Sequence, residues 1–218
     1  CAALVMVTGV TFPLLGSLFT LPAAGFAGGL ATVFLALAFA ARLDSKMENQ
    51  TVILVGMVFS LFVNAILTLI TALSREHLQQ MVFWQMGGFT GRNWSHVAVM
   101  CPVLVLSMLA LQRFTTEMDI MSFGEEQAMS IGVDLKRVKL LLIGIAALLT
   151  GTAVSLVGVI GFVDLIAPHV VRKIFGSAHR LVLPLSALFG GSFLMLAELV
   201  SRTIMAPTII PVGAVTAL

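Results

Sequence analysis

Charge is what this chain has least of. It carries 12 basic and 10 acidic residues in 218, a charged share of 10%, against a hydrophobic share of 59% and a mean hydropathy of +1.10. A soluble domain averages roughly 25% charged residues. A chain this poor in charge cannot cover a water-facing surface, so its solvent is largely lipid. The net charge of +2, with no basic run interleaved with aromatics, argues against a nucleic-acid partner. Two cysteines, Cys1 and Cys101, are too few for a disulfide framework or a thiolate metal site. Cys101 stands before Pro102 within an apolar run and reads as a small buried residue. No Gly-x-x-x-x-Gly-Lys pattern is present to cradle a phosphate. No Ser/His or His/carboxylate set converges on adjacent faces, which sets an intramembrane enzyme aside; no catalytic residue, metal ligand or cofactor is expected.

What is there is a series of apolar runs. They cover residues 1–19, 23–41, 51–73, 95–112, 138–157, about 160–171, and 181 to about 200, the first two split by Thr20-Leu21-Pro22. About 20 helical residues at ~1.5 Å each cross a ~30 Å hydrocarbon core. The expected fold is therefore all-α: one polytopic bundle over residues 1–218, with about seven complete or near-complete membrane helices. The 160–171 run is short and holds Pro168, so a broken or partly buried helix is expected there. The chain opens on Cys1 inside an apolar run and closes just after Pro211 begins a new helical pattern. Further helices are expected beyond both ends, an even number of them before residue 1.

Between Arg113 and Lys139 the pattern breaks for 27 residues, which hold nine of the 22 charges. Turning between membrane helices needs only a few residues, so an island this long is expected to be a docking surface. Its centre, Phe123–Val133, reads as a short amphipathic helix with Phe123, Ala128, Met129 and Ile131 as apolar contacts and Gly132 at its C-terminal end. The loops at 42–50, 113–139 and 172–180 share one side of the membrane map. They carry nine of the twelve Lys and Arg residues; Arg75, Arg92 and Arg202 fall opposite. The positive-inside rule puts the island in the cytoplasm.

Individual polar residues in the spans read two ways. Asn64, Thr68 and Thr71 make a mildly polar stripe that is either interhelical glue or the wall of a water-filled path. Arg202, four residues after Glu198, reads as an acid–base pair that anchors a helix end. Asp164 and His169 stand five apart with no third ligand nearby, and structural roles are expected for both.

The stretch Gly158–Leu218 resembles the C-terminal signature of the FecCD-type permeases, the membrane subunits of ABC importers for iron-siderophores, haem and cobalamin. The residues that carry it are Gly161-Phe162, Pro168-His169, Arg172, His179-Arg180, Leu183-Pro184, Ser186-Ala187, Ala197, Arg202 and Pro211-Val212-Gly213, with Val215-Thr216-Ala217 after them. Phe83–Phe89 with Trp94 is similar to the family's short outer helix. Gly124-Glu125-Glu126 with Ser130-Ile131-Gly132-Val133 is similar to its cytoplasmic coupling segment.

The resemblance implies usually ten helices per subunit, two permease subunits (identical or merely similar), two ATPase subunits below and a substrate-binding protein above, in a bacterial cytoplasmic (inner) membrane. It makes Phe123, Gly124, Glu125, Glu126, Ala128, Met129, Ser130 and Gly132 the ATPase-coupling residues. It makes Arg202 and Arg92 binding-protein contacts, sets Asn64, Thr68 and Thr71 along the translocation path, and puts Glu48 and Asn49 near an inner gate. The chain departs from the family pattern at Asp164 for Gly, Ala178 for Asp, Glu198 for Asp and Ile209-Ile210 for Glu-Leu. The implied mechanism is alternating access driven by ATP hydrolysis on the partner. The alternative is a secondary transporter driven by an ion gradient, with Asp164 or Glu198 as the titrating group.

Overall fold

A computed structural model describes residues 16–44, 49–73, 78–204 and 210–216. Apolar runs with few helix breakers form ten helices among these residues: α1 (Gly16–Leu43), α2 (Asn49–Leu73), α3 (Leu78–Met86), α4 (Trp94–Arg113), α5 (Thr115–Met121), α6 (Glu125–Ser130), α7 (Leu135–Val157), α8 (Val163–Phe175), α9 (His179–Thr203) and α10 (Val212–Thr216). The all-α expectation holds. Five helices are long and apolar enough to cross a membrane: Ala23–Leu43 within α1, then α2, α4, α7 and α9. Most of the run at 1–19 lies outside the described residues, as do Lys46, Glu48, Arg75 and Ile209.

Three expectations need correction. Thr20-Leu21-Pro22 does not split two helices, because α1 runs continuously from Gly16 to Leu43. A proline removes one backbone bond, a loss that a membrane helix tolerates when neighbouring groups take up the freed carbonyl. The short helix set at 83–89 is instead α3, Leu78–Met86, and the backbone leaves helical geometry at Gly87, where φ is +65°. Cys101 is exposed, not buried. An apolar side chain on a membrane helix is solvated as well by lipid tails as by protein, so burial brings it little.

Close contacts divide the structure into two units. The first comprises the described residues up to Gln85 with Thr150–Leu156. In it α1 packs on α2, with Phe39 and Phe59 rings 6.0 Å apart at 60°. Met81 of α3 is buried against Leu67, Ile70 and Trp84.

The second unit holds Met86–Leu149 and Val157–Leu218. Here α8, only 13 residues long and containing Pro168, lies against α9 and buries Ala167 and Val171. Its charges suit its ends, with Asp164 in the first turn and Arg172 and Lys173 in the last. At the far end of α9, the fully buried Ser201 donates its hydroxyl to the Ile210 carbonyl, and the Ile210 N–H returns a bond to the Ser201 carbonyl at 3.3 Å. This pins α10 onto α9. Gly87 and Gly213 meet neighbouring backbone too closely for any side chain. A Cβ on Gly87 would fall 2.5 Å from the Val159 carbonyl oxygen, and one on Gly213 2.5 Å from that of Met86.

Candidate functional site

The polar island folds into two short helices and the turns around them. Gly124 is the N-cap of α6, and Glu125 and Glu126 occupy its first turn, where carboxylates complement the positive end of the helix dipole. The helix ends in a Schellman motif: the Val133 N–H bonds the Ala128 carbonyl at 3.1 Å and the Gly132 N–H bonds the Met129 carbonyl at 3.0 Å. That motif needs a left-handed residue after the cap, and Gly132 supplies it at φ +94°. Ser130 donates its hydroxyl to the Gln127 carbonyl at 2.7 Å. Asp134 then caps α7, accepting the Arg137 N–H at 3.2 Å while pairing with the Arg137 guanidinium at 2.9 Å.

An ion pair and a carboxylate–imidazole contact hold the island to its own chain. Lys139 Nζ lies 2.7 Å from Glu125 Oε2, and the lysine is almost wholly buried. Asp119 of α5 reaches α9: its Oδ1 accepts the His179 backbone N–H at 2.9 Å and sits 2.5 Å from the His179 ring Nδ1. Ala128 is 0% exposed and packs inward, so it supports the segment and does not form part of its outer surface. The surface left open mixes apolar Phe123, Met129 and Ile131, exposed at 76, 55 and 69%, with polar Glu126, Gln127 and Ser130.

The bonds from His179 hold the Asp119 carboxyl below its usual range. A carboxyl lowered on folding stabilises the fold above its unfolded value, and that contribution disappears as pH falls through the lower, folded value. The groups facing it are His179 on α9 and, beyond that ring, Arg172 on α8, whose Nη2 is 3.5 Å from His179 Nε2. Thermal unfolding of the detergent-solubilised protein should therefore lose stability on acidification below the ordinary carboxylate range, and Asp119→Asn should flatten that part of the profile.

The other sequence-derived residues are scattered. Asn64 lines a groove of about 300 Å³ with Thr32, Ala36, Gly56, Phe59 and Ser60. Thr68 and Thr71 donate their hydroxyls back to the Asn64 and Leu67 carbonyls of their own helix, and Thr71 also faces Met81. The stripe keeps to one face of α2, and its hydroxyls are satisfied locally. Asn49 is the first residue of α2. Arg92 is exposed in the turn before α4, its N–H on the Phe89 carbonyl at 3.2 Å. Arg202 makes the intrahelical pair with Glu198, Nε and Nη2 both 2.6 Å from Oε1. Asp164 and His169 are exposed on α8, and among the described residues no group of three potential ligands could hold a metal ion.

Sequence reasoning missed the ties made by Asp119 and Lys139. Lys139 carried a local signal, a lone charge just inside an apolar span. Asp119 and His179 are 60 residues apart and carried none.

Five membrane-length helices, with a folded polar segment between two of them, define a multi-pass membrane protein. Comparison with known proteins narrows this. The model of the FecCD transport family matches residues 1–218, and the chain belongs to that family. It is 38% identical over 217 residues to an uncharacterised ABC transporter permease protein, YvrB, of Bacillus subtilis, covering all of this chain and 61% of the relative. It is 37% identical over 217 residues to the cobalamin import system permease BtuC of Halobacterium salinarum, covering 100% of this chain and 58% of that protein. With the Fe(3+) dicitrate transport permease FecD of Escherichia coli it shares 34% over 199 residues, 91% of this chain and 61% of that one. A solved ABC transporter in an inward-facing conformation superposes with a TM-score of 0.83 at 30% identity, covering 99% of this chain and 67% of the other. The chain thus spans about 60% of the length of these curated relatives.

Proposed function

We propose that the protein to which this chain belongs is the permease subunit of an ABC importer for a chelate of the iron-siderophore, haem or cobalamin kind. The observation that carries this reading is the island at residues 113–139: an apolar patch of Phe123, Met129 and Ile131 on a helix braced to α7 and, through α5, to α9. A rigid, exposed element of this kind passes on rigid-body motion, because packed side chains do not compress. Separate ATPase subunits grip the island from the cytoplasm, a second permease subunit completes the path, and a substrate-binding protein delivers the chelate from outside. The setting is a bacterial inner membrane, and transport proceeds by alternating access.

Relatives that carry cobalamin or ferric citrate support the substrate class. Asn64 and the groove between α1 and α2 are the candidate path, and Asn49, the first residue of α2, is the candidate inner gate. Arg92 and Arg202 are candidate docking points for the binding protein, and Arg202 would have to share its guanidinium with Glu198. Glu198, one of the two groups named for the ion-gradient alternative, is held in this pair.

The test is uptake by the full-length protein reconstituted in liposomes with its ATPase and binding protein, using cyanocobalamin and ferric citrate as separate probes. ATP-dependent uptake of one of them is expected. Uptake driven equally well by an ion gradient without ATPase would overturn the reading.

A further inference from the structure

Helix α9 begins without a local cap. Its N-cap residue is Ala178, whose side chain has no acceptor for the free N–H groups of the first turn. The acceptor comes from another element, since Asp119 of α5 takes the His179 N–H at 2.9 Å and holds the imidazole of the same residue at 2.5 Å. A second bond runs alongside, from Gln112 Nε2 at the end of α4 to the Arg180 carbonyl at 3.2 Å. On the other flank of the island, Glu125 is held by Lys139 of α7.

We infer that Asp119 is a positioning residue, a cap supplied by a different element that ties the docking island to the start of α9. A serine or aspartate at residue 178 would cap that turn from within α9, at the Arg180 or Leu181 N–H instead of that of His179. A carboxylate from α5 caps it only while α5 and α9 stay together, so displacement of the island carries the end of a membrane-length helix with it. The inference rests on the proposed transport reading for its purpose, but the tie itself can be measured without it.

The experiment places spin labels at Ser122 and Leu181, both exposed, in the full-length protein in nanodiscs. Wild type, Asp119→Ala and Asp119→Ala/Ala178→Asp are compared. The last restores a cap within α9, so it removes the tie while sparing the helix terminus, and it carries the test if the single variant fails to fold. A narrow label distance in wild type and a broad one in the double variant are expected, together with a loss of ATP-driven uptake of cyanocobalamin or ferric citrate on the order of tenfold. A distance as narrow in the double variant as in wild type would show that Asp119 is only a cap, and would overturn the inference. If wild type takes up neither probe, cobalamin and ferric citrate fail as substrates while the distance still decides the tie.

Discussion

Replacing Glu125 with lysine is expected to strip the protein of its ATPase and of transport while leaving it in the membrane. Lys139 is 5% exposed and its ammonium lies 2.7 Å from the Glu125 carboxylate. Breaking a buried pair costs about 3–5 kcal/mol, and Glu125 is 29% exposed, so solvent screening favours the lower end of that range. A second ammonium in its place adds repulsion. The helix that must absorb this has six residues. Helices shorter than about 12–15 residues are marginal on their own, so α6 depends on its anchors. Without this one the exposed patch no longer has a fixed place. The exchange Glu125→Lys/Lys139→Glu restores opposite charges and should recover part of both activities. Retention of the tagged ATPase on the purified protein and the membrane-fraction yield are the measurements.

Replacing Gly87 with alanine is expected to lower stability sharply. The new Cβ would lie 2.5 Å from the Val159 carbonyl oxygen and 2.8 Å from Ile160 Cγ1, in a residue at φ +65°. Left-handed backbone and overpacking each cost about 1–3 kcal/mol, for a combined penalty of roughly 2–6 kcal/mol. The obstacle is backbone, which cannot swing aside as a flexible side chain would. Gly144→Ala is the control: its Cβ would meet nothing within 4 Å, and an alanine inside α7 should leave the helix as stable or raise its stability by about 0.5–1 kcal/mol. Thermal unfolding in detergent should show Gly87→Ala melting roughly 5 °C or more below the control.

Length and hydropathy made the long helices legible. The runs at 51–73, 95–112, 138–157 and 181–200 became helices at 49–73, 94–113, 135–157 and 179–203. The extra turns come from end residues that composition does not mark, such as Asp134 capping α7. The breaks were harder to read. Thr20-Leu21-Pro22 carries a turn-like composition yet stays helical, whereas Gly158–Gly161 leaves the helix. Backbone geometry at a proline or glycine depends on what the neighbouring elements offer, and that is tertiary information.

The same limit applies to the site. Phe123, Met129 and Gly132 were legible because a charged island with an apolar stripe and a terminal glycine is a local pattern. The burial of Ala128 was not, because the stripe does not say which of its members face the chain itself. Asp119 was invisible for the same reason: its partner lies 60 residues away and is recognised only once Ala178 is seen to leave α9 uncapped.

The central claim is that the surface of Phe123, Met129 and Ile131 grips a nucleotide-hydrolysing subunit. The most direct test is a photo-reactive amino acid at Phe123 of the full-length protein, irradiated in cells that also make its ATPase. The account predicts a covalent adduct between the two chains, lost when Glu125 is reversed to lysine. No adduct at Phe123 or Met129, or labelling of Phe123→Cys by a membrane-impermeant thiol reagent added outside intact cells lacking Cys101, would contradict it.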